Sequence, residues 1–371
     1  MPTTPQHLTE LAHLVDQVHT AAAKRQPLTI RAGGTKDFYG NKFHDNTAVA
    51  ERLDPGSYSG VIAYQPTELV ITARAGTPLR EIETLIAAQG QMLGFEPPHF
   101  GVGATFGGCI AAGLAGPRRA GMGPAAGATR DFMLGARVLN GTGQVQQFGG
   151  TVMKNVAGYD VSRLFAGSMG TLGVLLEASV KLVPRPVTED TRRLACDEVH
   201  ARALLSRWAR ASIAMSASCW SEGKLVVRLS GAYAAVTHGI AVVGGEGLSR
   251  AEATVFWSAV REQTVDFFAQ SLPLWRVSVP ATAESLALGA PELQEWGGAL
   301  RWVATPLPAA TVRARAAALG GHATLFRNNP GGVAAFTPLS QTQQSLESRV
   351  RAAFDPLGIF NAGRVHANAA C

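Results

Sequence analysis

The chain has 371 residues, 46% hydrophobic and 16% charged, a balance that excludes long disordered tails and fits a folded protein of about two domains. Its formal net charge is +6, yet the basic residues are scattered, with short pairs such as Arg118-Arg119 and Arg192-Arg193 and no Lys/Arg-rich run. That argues against a nucleic-acid partner and leaves a nucleotide cofactor, an anionic substrate or an anionic membrane surface. Cys109, Cys196, Cys219 and Cys371 lie far apart with no C-x-x-C pair, which excludes a disulfide framework and local zinc or iron–sulfur spacings.

Thr4-Pro5 reads as an N-cap and first-turn proline opening a helix, with Leu8, Leu11, Leu14, Val15 and Val18 on one face. The first 24 residues hold no apolar signal core, and no run of about 18 apolar residues follows anywhere, so a cytoplasmic chain without a membrane span is expected. Residues 27–30 form a short strand that runs into Arg31-Ala32-Gly33-Gly34-Thr35-Lys36. Residues 69–74 read as a strand, and Thr77-Pro78 starts a helix whose stripe is Leu79, Ile82, Leu85 and Ile86, stopping at Gly90. From 94 to 173 the chain is dense in glycine and alanine. It still carries Phe100, Phe106, Ile110, Phe132, Leu134, Val138 and Leu139, so it packs, and its small residues let backbone approach backbone or a flat ligand. Residues 134–140 and 144–148 form a hairpin around Gly141-Thr142-Gly143. Val174, Leu176, Ala178, Val180 and Leu182 alternate on one strand face until Pro184 and Pro186 end the pattern.

A boundary is placed there. The segment 187–338 holds all the tryptophans, Trp208, Trp220, Trp257, Trp275, Trp296 and Trp302. Helices over 201–213, 253–268 and 311–319 alternate with strands over 224–229, 274–279, 300–304 and 323–327. This is the texture of an α+β unit with an antiparallel sheet. A last helix over 341–354 leads into Asp355-Pro356-Leu357-Gly358-Ile359-Phe360-Asn361-Ala362-Gly363-Arg364.

The motifs that carry chemistry are glycine turns. A strand ending in Ala32-Gly33-Gly34-Thr35-Lys36 exposes successive backbone N–H groups, a nest suited to phosphate oxygens. The Rossmann fingerprint fails: Gly121-Met122-Gly123-Pro124-Ala125-Ala126 follows Pro117-Arg118-Arg119 rather than a strand, and Pro124 breaks the turn. Two further blocks are Gly103-Ala104-Thr105-Phe106-Gly107-Gly108-Cys109-Ile110-Ala111-Ala112-Gly113 and Lys154-Asn155-Val156-Ala157-Gly158-Tyr159-Asp160, the latter continuing to Gly167-Ser168-Met169-Gly170-Thr171-Leu172-Gly173-Val174.

These blocks, in this order, resemble the PCMH-type FAD-binding domain of the vanillyl-alcohol-oxidase superfamily, and within it the E subunits of bacterial glycolate oxidases. The tail resembles the same family's ending. The resemblance implies an α+β fold: a two-part FAD-binding domain over 1–186, an α+β cap with an antiparallel sheet over 187–338, and a segment 339–371 returning to the first domain. It implies that Ala32, Gly33, Gly34, Thr35 and Lys36 form the first pyrophosphate loop. Gly103, Ala104, Thr105, Gly107 and Gly108, with Gly113 beyond them, form the second phosphate and ribityl loop. Gly167, Ser168, Gly170, Thr171, Gly173 and Val174 form the turn that lies against the flavin.

Three departures stand out: Thr35 and no attachment signature where such flavins are often tethered, Met169 in place of a glutamate, and Ala362 in place of a proline. Non-covalent FAD follows, with Cys109 packed inside. No segment matches the H-G-D-G-N stretch with which related 2-hydroxy-acid dehydrogenases orient substrate. His322 and Arg327 are the nearest polar candidates, an Arg suiting a carboxylate and a His a hydroxyl proton. Two readings stay open. Either the subunit oxidises a small 2-hydroxy or sugar acid itself, or it relays electrons from a D-type flavin subunit to an iron–sulfur F-type subunit, peripheral to the inner membrane face through those partners. The missing histidine-rich segment favours the relay.

Overall fold

A computed structural model describes residues 5–41, 50–122, 127–151 and 160–366. The block 154–159, the end of the near-fingerprint at 123–126, and Thr4 and Cys371 lie outside them. In chain order the first part carries α1 (Pro5–Lys24), β1 (Leu28–Ile30), β2 (Glu51–Leu53), β3 (Val61–Gln65), β4 (Val70–Arg74), α2 (Leu79–Ala87), β5 (Gln91–Met92), α3 (Phe106–Ala112), β6 (Met133–Leu139), β7 (Val145–Gly149), β8 (Val174–Lys181) and β9 (Val183–Pro184). β1 pairs in parallel with β2, β5 pairs with β9, and an antiparallel sheet runs β3-β4-β8-β6-β7.

The expected hairpin is β6 and β7. β8 differs from the expected one-faced alternation, because as the central strand it is buried on both sides. Val174 and Leu176 pack with Leu14 and Val18 of α1, while Leu175, Ala178 and Val180 pack with Ile82, Ile86 and Ile110. Leu8, expected on α1's buried face, is exposed; burial on that helix begins further along, at Leu14, Val18 and Ala21. Thr77 does not cap α2 either. Its hydroxyl donates to Arg74 O (2.7 Å) and accepts from Gly60 N (2.9 Å), tying down the turn out of β4.

The second part carries β10 (Thr188–Ala195), α4 (Glu198–Arg210), β11 (Met215–Ser221), β12 (Lys224–Gly231), α5 (Tyr233–Val243), β13 (Glu246–Gly247), α6 (Arg250–Glu262), β14 (Leu274–Ser278), β15 (Glu292–Glu295), β16 (Leu300–Ala304), α7 (Ala309–Ala318) and β17 (His322–Arg327). One antiparallel sheet joins its strands in the order β13-β10-β12-β11-β15-β16-β14-β17. One sheet face packs on α4, α5 and α7. The other, with Trp257 and Val260 of α6, packs on Tyr39, Ala112 and Leu114 of the first part. α8 (Gln341–Phe354) then brings Phe354 edge-on to Phe148 and Phe165, so the chain ends against the sheet it began with.

Polar clamps fix the two parts together. The Arg228 guanidinium donates twice to the Glu96 carboxylate (2.9 and 2.8 Å) and lies over Trp257. Trp296 Nε1 donates to Gly116 O (3.0 Å), and the Glu262 carboxylate accepts from the amides of His99 and Phe100. Glu96 is held below the usual carboxylate range by Arg228 and Arg118, which together overcome the opposing effect of burial. Among the described residues no helix is long and apolar enough to cross a membrane.

Candidate functional site

β1 delivers the chain into the segment 31–37, the floor of a cleft of about 940 Å³, open mouth included. Gly34, at φ +68°, turns the segment so that Asp37 N reaches Gly34 O, and Arg31 pairs with Asp37 across the turn. The carbonyls here are taken up by the protein. Arg52 donates to Arg31 O and Ala32 O (both 3.2 Å), and Arg364 donates to Asp37 O (2.8 Å) and Lys36 O (3.4 Å). The amides are not. Ala32, Gly33, Gly34, Thr35 and Lys36 donate their N–H groups to no acceptor among the described residues. Five successive donors beside a cleft, with arginines holding the opposing carbonyls, have the electrostatics of an anion nest. Unmade donors of this kind are costly unless water or a ligand accepts from them. Lys36 sits half-buried beside them, its Nζ on His99 O (3.1 Å); burial lowers its pKa, with Cys109 and Glu262 acting against that shift.

The second block meets the first through glycine alone. A Cβ on Gly33 would stand 1.6 Å from Gly103 O, so no side chain fits at this crossing. Thr105 caps α3 by accepting from Gly108 N (3.2 Å). The other first-turn donors are also used: Phe106 N on Thr77 O, Gly107 N on Ala75 O and Cys109 N on Thr105 O. The first turn of α3 lends the cleft glycine surface and the Thr105 side chain, and the amides of Gly103 and Thr105 just before it donate to no acceptor among the described residues. Gly107 is glycine because a Cβ would press on Ala75 at 2.5 Å, whereas a Cβ on Gly108 would meet only the Thr105 hydroxyl, at 3.0 Å.

In the third segment Met169 N donates to Ala111 O, and Gly170 and Gly173 take φ values of +75° and +140°. Met169 holds a left-handed conformation (φ +52°), uncommon for a side chain of its size, and its methyl end lies near Gly40 and Arg364.

The cleft thus gathers Ala32, Gly33, Gly34, Thr35, Lys36, Gly103, Thr105, Gly107, Gly108, Ser168, Gly170 and Gly173 of the expected set. Five expected residues stand behind it. Ala104 and Val174 are core, Thr171 turns its hydroxyl onto Ser168 O, and Gly113 is the left-handed C-cap of α3 (φ +64°) packed on Gly167. Cys109 is core as well, its thiol pushed up to about 12 by burial.

The cleft also holds residues outside the expected binding set: Arg31, Asp37, Met169, Asn361 and Arg364. The tail motif was the available signal. Asn361 accepts from Ile30 N (2.8 Å) and donates to Met169 O (2.7 Å), joining the strand before the first loop to the turn of the third. His322 and Arg327 are absent from the lining. His322 is exposed at the start of β17, and the Arg327 guanidinium lies over the rings of Phe38, Phe100 and Phe326, its pKa lowered to about 10 by burial.

A family model described as an FAD binding domain matches residues 6–161. The chain is 41% identical over 354 residues to glycolate oxidase subunit GlcE of Escherichia coli (strain K12), covering 95% of this chain and 97% of that protein. A shorter match, 47% identical over 77 residues, joins 21% of the chain to 16% of glycolate oxidase subunit GlcD of Bacillus subtilis (strain 168). A solved alkyldihydroxyacetonephosphate synthase superposes with a TM-score of 0.65 at 13% identity, covering 96% of this chain and 74% of that one, a likeness of fold.

Proposed function

The chain belongs to the family of glycolate oxidase GlcE subunits, FAD-binding oxidoreductase proteins, and from that premise we propose that it is the flavin-carrying relay of a 2-hydroxy-acid oxidase complex, standing between a D-type flavin subunit that holds the substrate and an iron–sulfur F-type subunit. The near full-length match to a glycolate oxidase subunit carries this reading. When bound, FAD supplies the exchange between a two-electron donor and one-electron carriers.

The residues fit the cofactor. The five amides at 32–36 would receive the pyrophosphate, with Lys36 and the Arg364 side chain adding positive charge around it. Gly108 leaves room for the rest of the dinucleotide, and Ser168, Gly170 and Gly173 form the opposite wall. Among the described residues no His or Cys lines the cleft, so attachment is non-covalent in this reading. A self-sufficient oxidase would need substrate-orienting groups at the cleft, and His322 and Arg327 do not line it. We place the working protein in the cytoplasm, peripheral to the inner membrane face through its partners, and divide it into the FAD-binding domain 1–186, the cap 187–338 and the returning segment 339–371.

The purified protein is expected to be yellow and to release about one FAD per chain on acid precipitation, as two phosphate groups in one nest require. Flavin left on the precipitated polypeptide would refute the non-covalent reading, and FMN in the supernatant would refute the pyrophosphate assignment.

A further inference from the structure

The wall of the cleft has two portions. Ala75 and Leu175 belong to the first part's own core, whereas Ala112 and Met169 belong to the cluster that the first part shares with the cap. Lys36 reaches toward the shared portion. Its backbone N–H lies in the nest, but its side chain leaves the loop. Nζ donates to His99 O (3.1 Å) and lies 3.4 Å from Thr35 Oγ1 and 5.7 Å from the centre of the Phe100 ring. Glu262 of α6 holds the amides of His99 and Phe100 from the cap side, close enough for its charge to act on the amine.

No carboxylate pairs with Lys36 among the described residues; Glu262 is taken up by those two amides and by Arg261. The other cations that line the cleft are committed to the protein. Arg31 pairs with Asp37, and Arg364 donates to the carbonyls of Asn41, Lys36 and Asp37. Lys36 is thus a half-buried ammonium held by one carbonyl and one hydroxyl, with a third hydrogen that meets no acceptor among the described residues. In FAD the pyrophosphate separates two ring systems, so phosphates on the nest send one ring to each portion of the wall. The ring that exchanges electrons with other subunits belongs at the seam between the parts, where reactive sites gather. That is the portion where Lys36 ends. Two electrons and one proton leave the flavin ring with one negative charge that the oxidised ring lacks, and a cation partly shut off from water favours the charged form.

We propose that Lys36 sets the reduction potential of the flavin: its ammonium faces the isoalloxazine ring and stabilises the negative charge the ring takes on reduction. This role rests on the FAD assignment and is separable from it. The flavin content of the unaltered chain tests the assignment, and the potential of the variants tests the role.

The FAD-loaded chain is reduced stepwise with dithionite, without oxygen, beside a reference dye of known potential. Lys36→Met is expected to move the equilibrium toward the oxidised flavin by about tenfold or more, a fall of about 30 mV for a two-electron couple. Lys36→Arg keeps the charge and stays close to the unaltered chain. Arg210→Gln removes an equal charge from α4, on the opposite face of the cap sheet, and leaves the potential where it was. Circular dichroism establishes that each variant is folded. If FAD leaves Lys36→Met during the titration, oxidised and reduced FAD are titrated separately into the flavin-free variant, and the ratio of the two affinities gives the same quantity. A Lys36→Met protein with the potential of the unaltered chain, whatever its affinity for FAD, would overturn the proposal. Equal falls in Lys36→Met and Lys36→Arg would do so too, as would a fall of that size in Arg210→Gln.

Discussion

Gly107 and Gly108 are neighbours in the first turn of α3 and are kept small by different things. At 107 the obstacle is the protein's own backbone and Ala75; at 108 it is only a capping hydroxyl with the cleft beyond. A valine at 107 therefore overpacks the junction of β4 and α3 and costs about 1–3 kcal/mol of fold stability along with the flavin. Gly108→Val leaves the flavin-free protein within about 1 kcal/mol of the original and still empties it of FAD. The check is flavin content beside the melting curve of flavin-free samples, and a Gly108→Val protein that keeps its FAD would show the cleft to be misassigned. Glu295 offers a pH test at the same scale. Burial raises its carboxyl to about 7 from an ordinary 4.5, against the smaller lowering effects of Trp302 and Arg276. A carboxyl with a raised folded pKa binds its proton more tightly in the native state. Its stabilising contribution is full below about 4.5 and is lost as pH climbs through about 7. Glu295→Gln keeps an acceptor for Trp302 and does not titrate. The variant's melting temperature relative to the original should thus rise between pH 5 and pH 8, and a constant difference would contradict the assignment.

The element that completes the cleft is the tail, not one of the glycine loops. The Asp355 carboxylate accepts from Ile359 N and Phe360 N (3.1 and 2.8 Å), which turns the chain so that Phe360 lies beside Leu28 of β1. Asn361 then bridges β1 and the third segment from a φ of +39°. Asn361→Ala loses both bonds and strains the backbone, while Asn361→Gly loses the bonds but keeps the turn. Both are expected to weaken FAD binding by about tenfold, the worth of one or two neutral hydrogen bonds, read by fluorescence titration of the flavin-free protein. Unchanged affinity in both would remove the tail from the site. Elements of this kind also mark what sequence can disclose. The hairpin of β6 and β7, β16 and α8 were legible because their apolar spacing or caps follow the period of the element. β15 was not, since its letters are Glu292, Leu293, Gln294 and Glu295; the polar ones are held inside by Glu198, by each other and by Trp302. β10 hid for a related reason: its Arg192 is spent on the carbonyls of Gly244 and Gly245, a partner far along the chain. The glycine loops were legible as motifs, but the arginines that take up the first loop's carbonyls, Arg52 and Arg364, are brought there only by the fold.

At the scale of the whole molecule, two parts are locked by buried charge. Glu96 and Arg228, Glu262 and the 99–100 amides, and Trp296 with Gly116 all cross the same seam. Removing one member of a buried pair leaves the other charge uncompensated, so the second part is expected to stay fixed against the first. A relay needs this arrangement: one cofactor held firmly, and electrons that arrive from and leave to other subunits. The basic balance of the chain, +6 overall, suits docking to acidic neighbours. The most direct test is to add glycolate without oxygen to the purified, FAD-loaded chain and follow its visible spectrum, first alone and then with the D-type and iron–sulfur subunits present. The relay account predicts that the flavin stays yellow in the isolated chain and is bleached in the complex; bleaching of the isolated chain at the rate of the complex would contradict it.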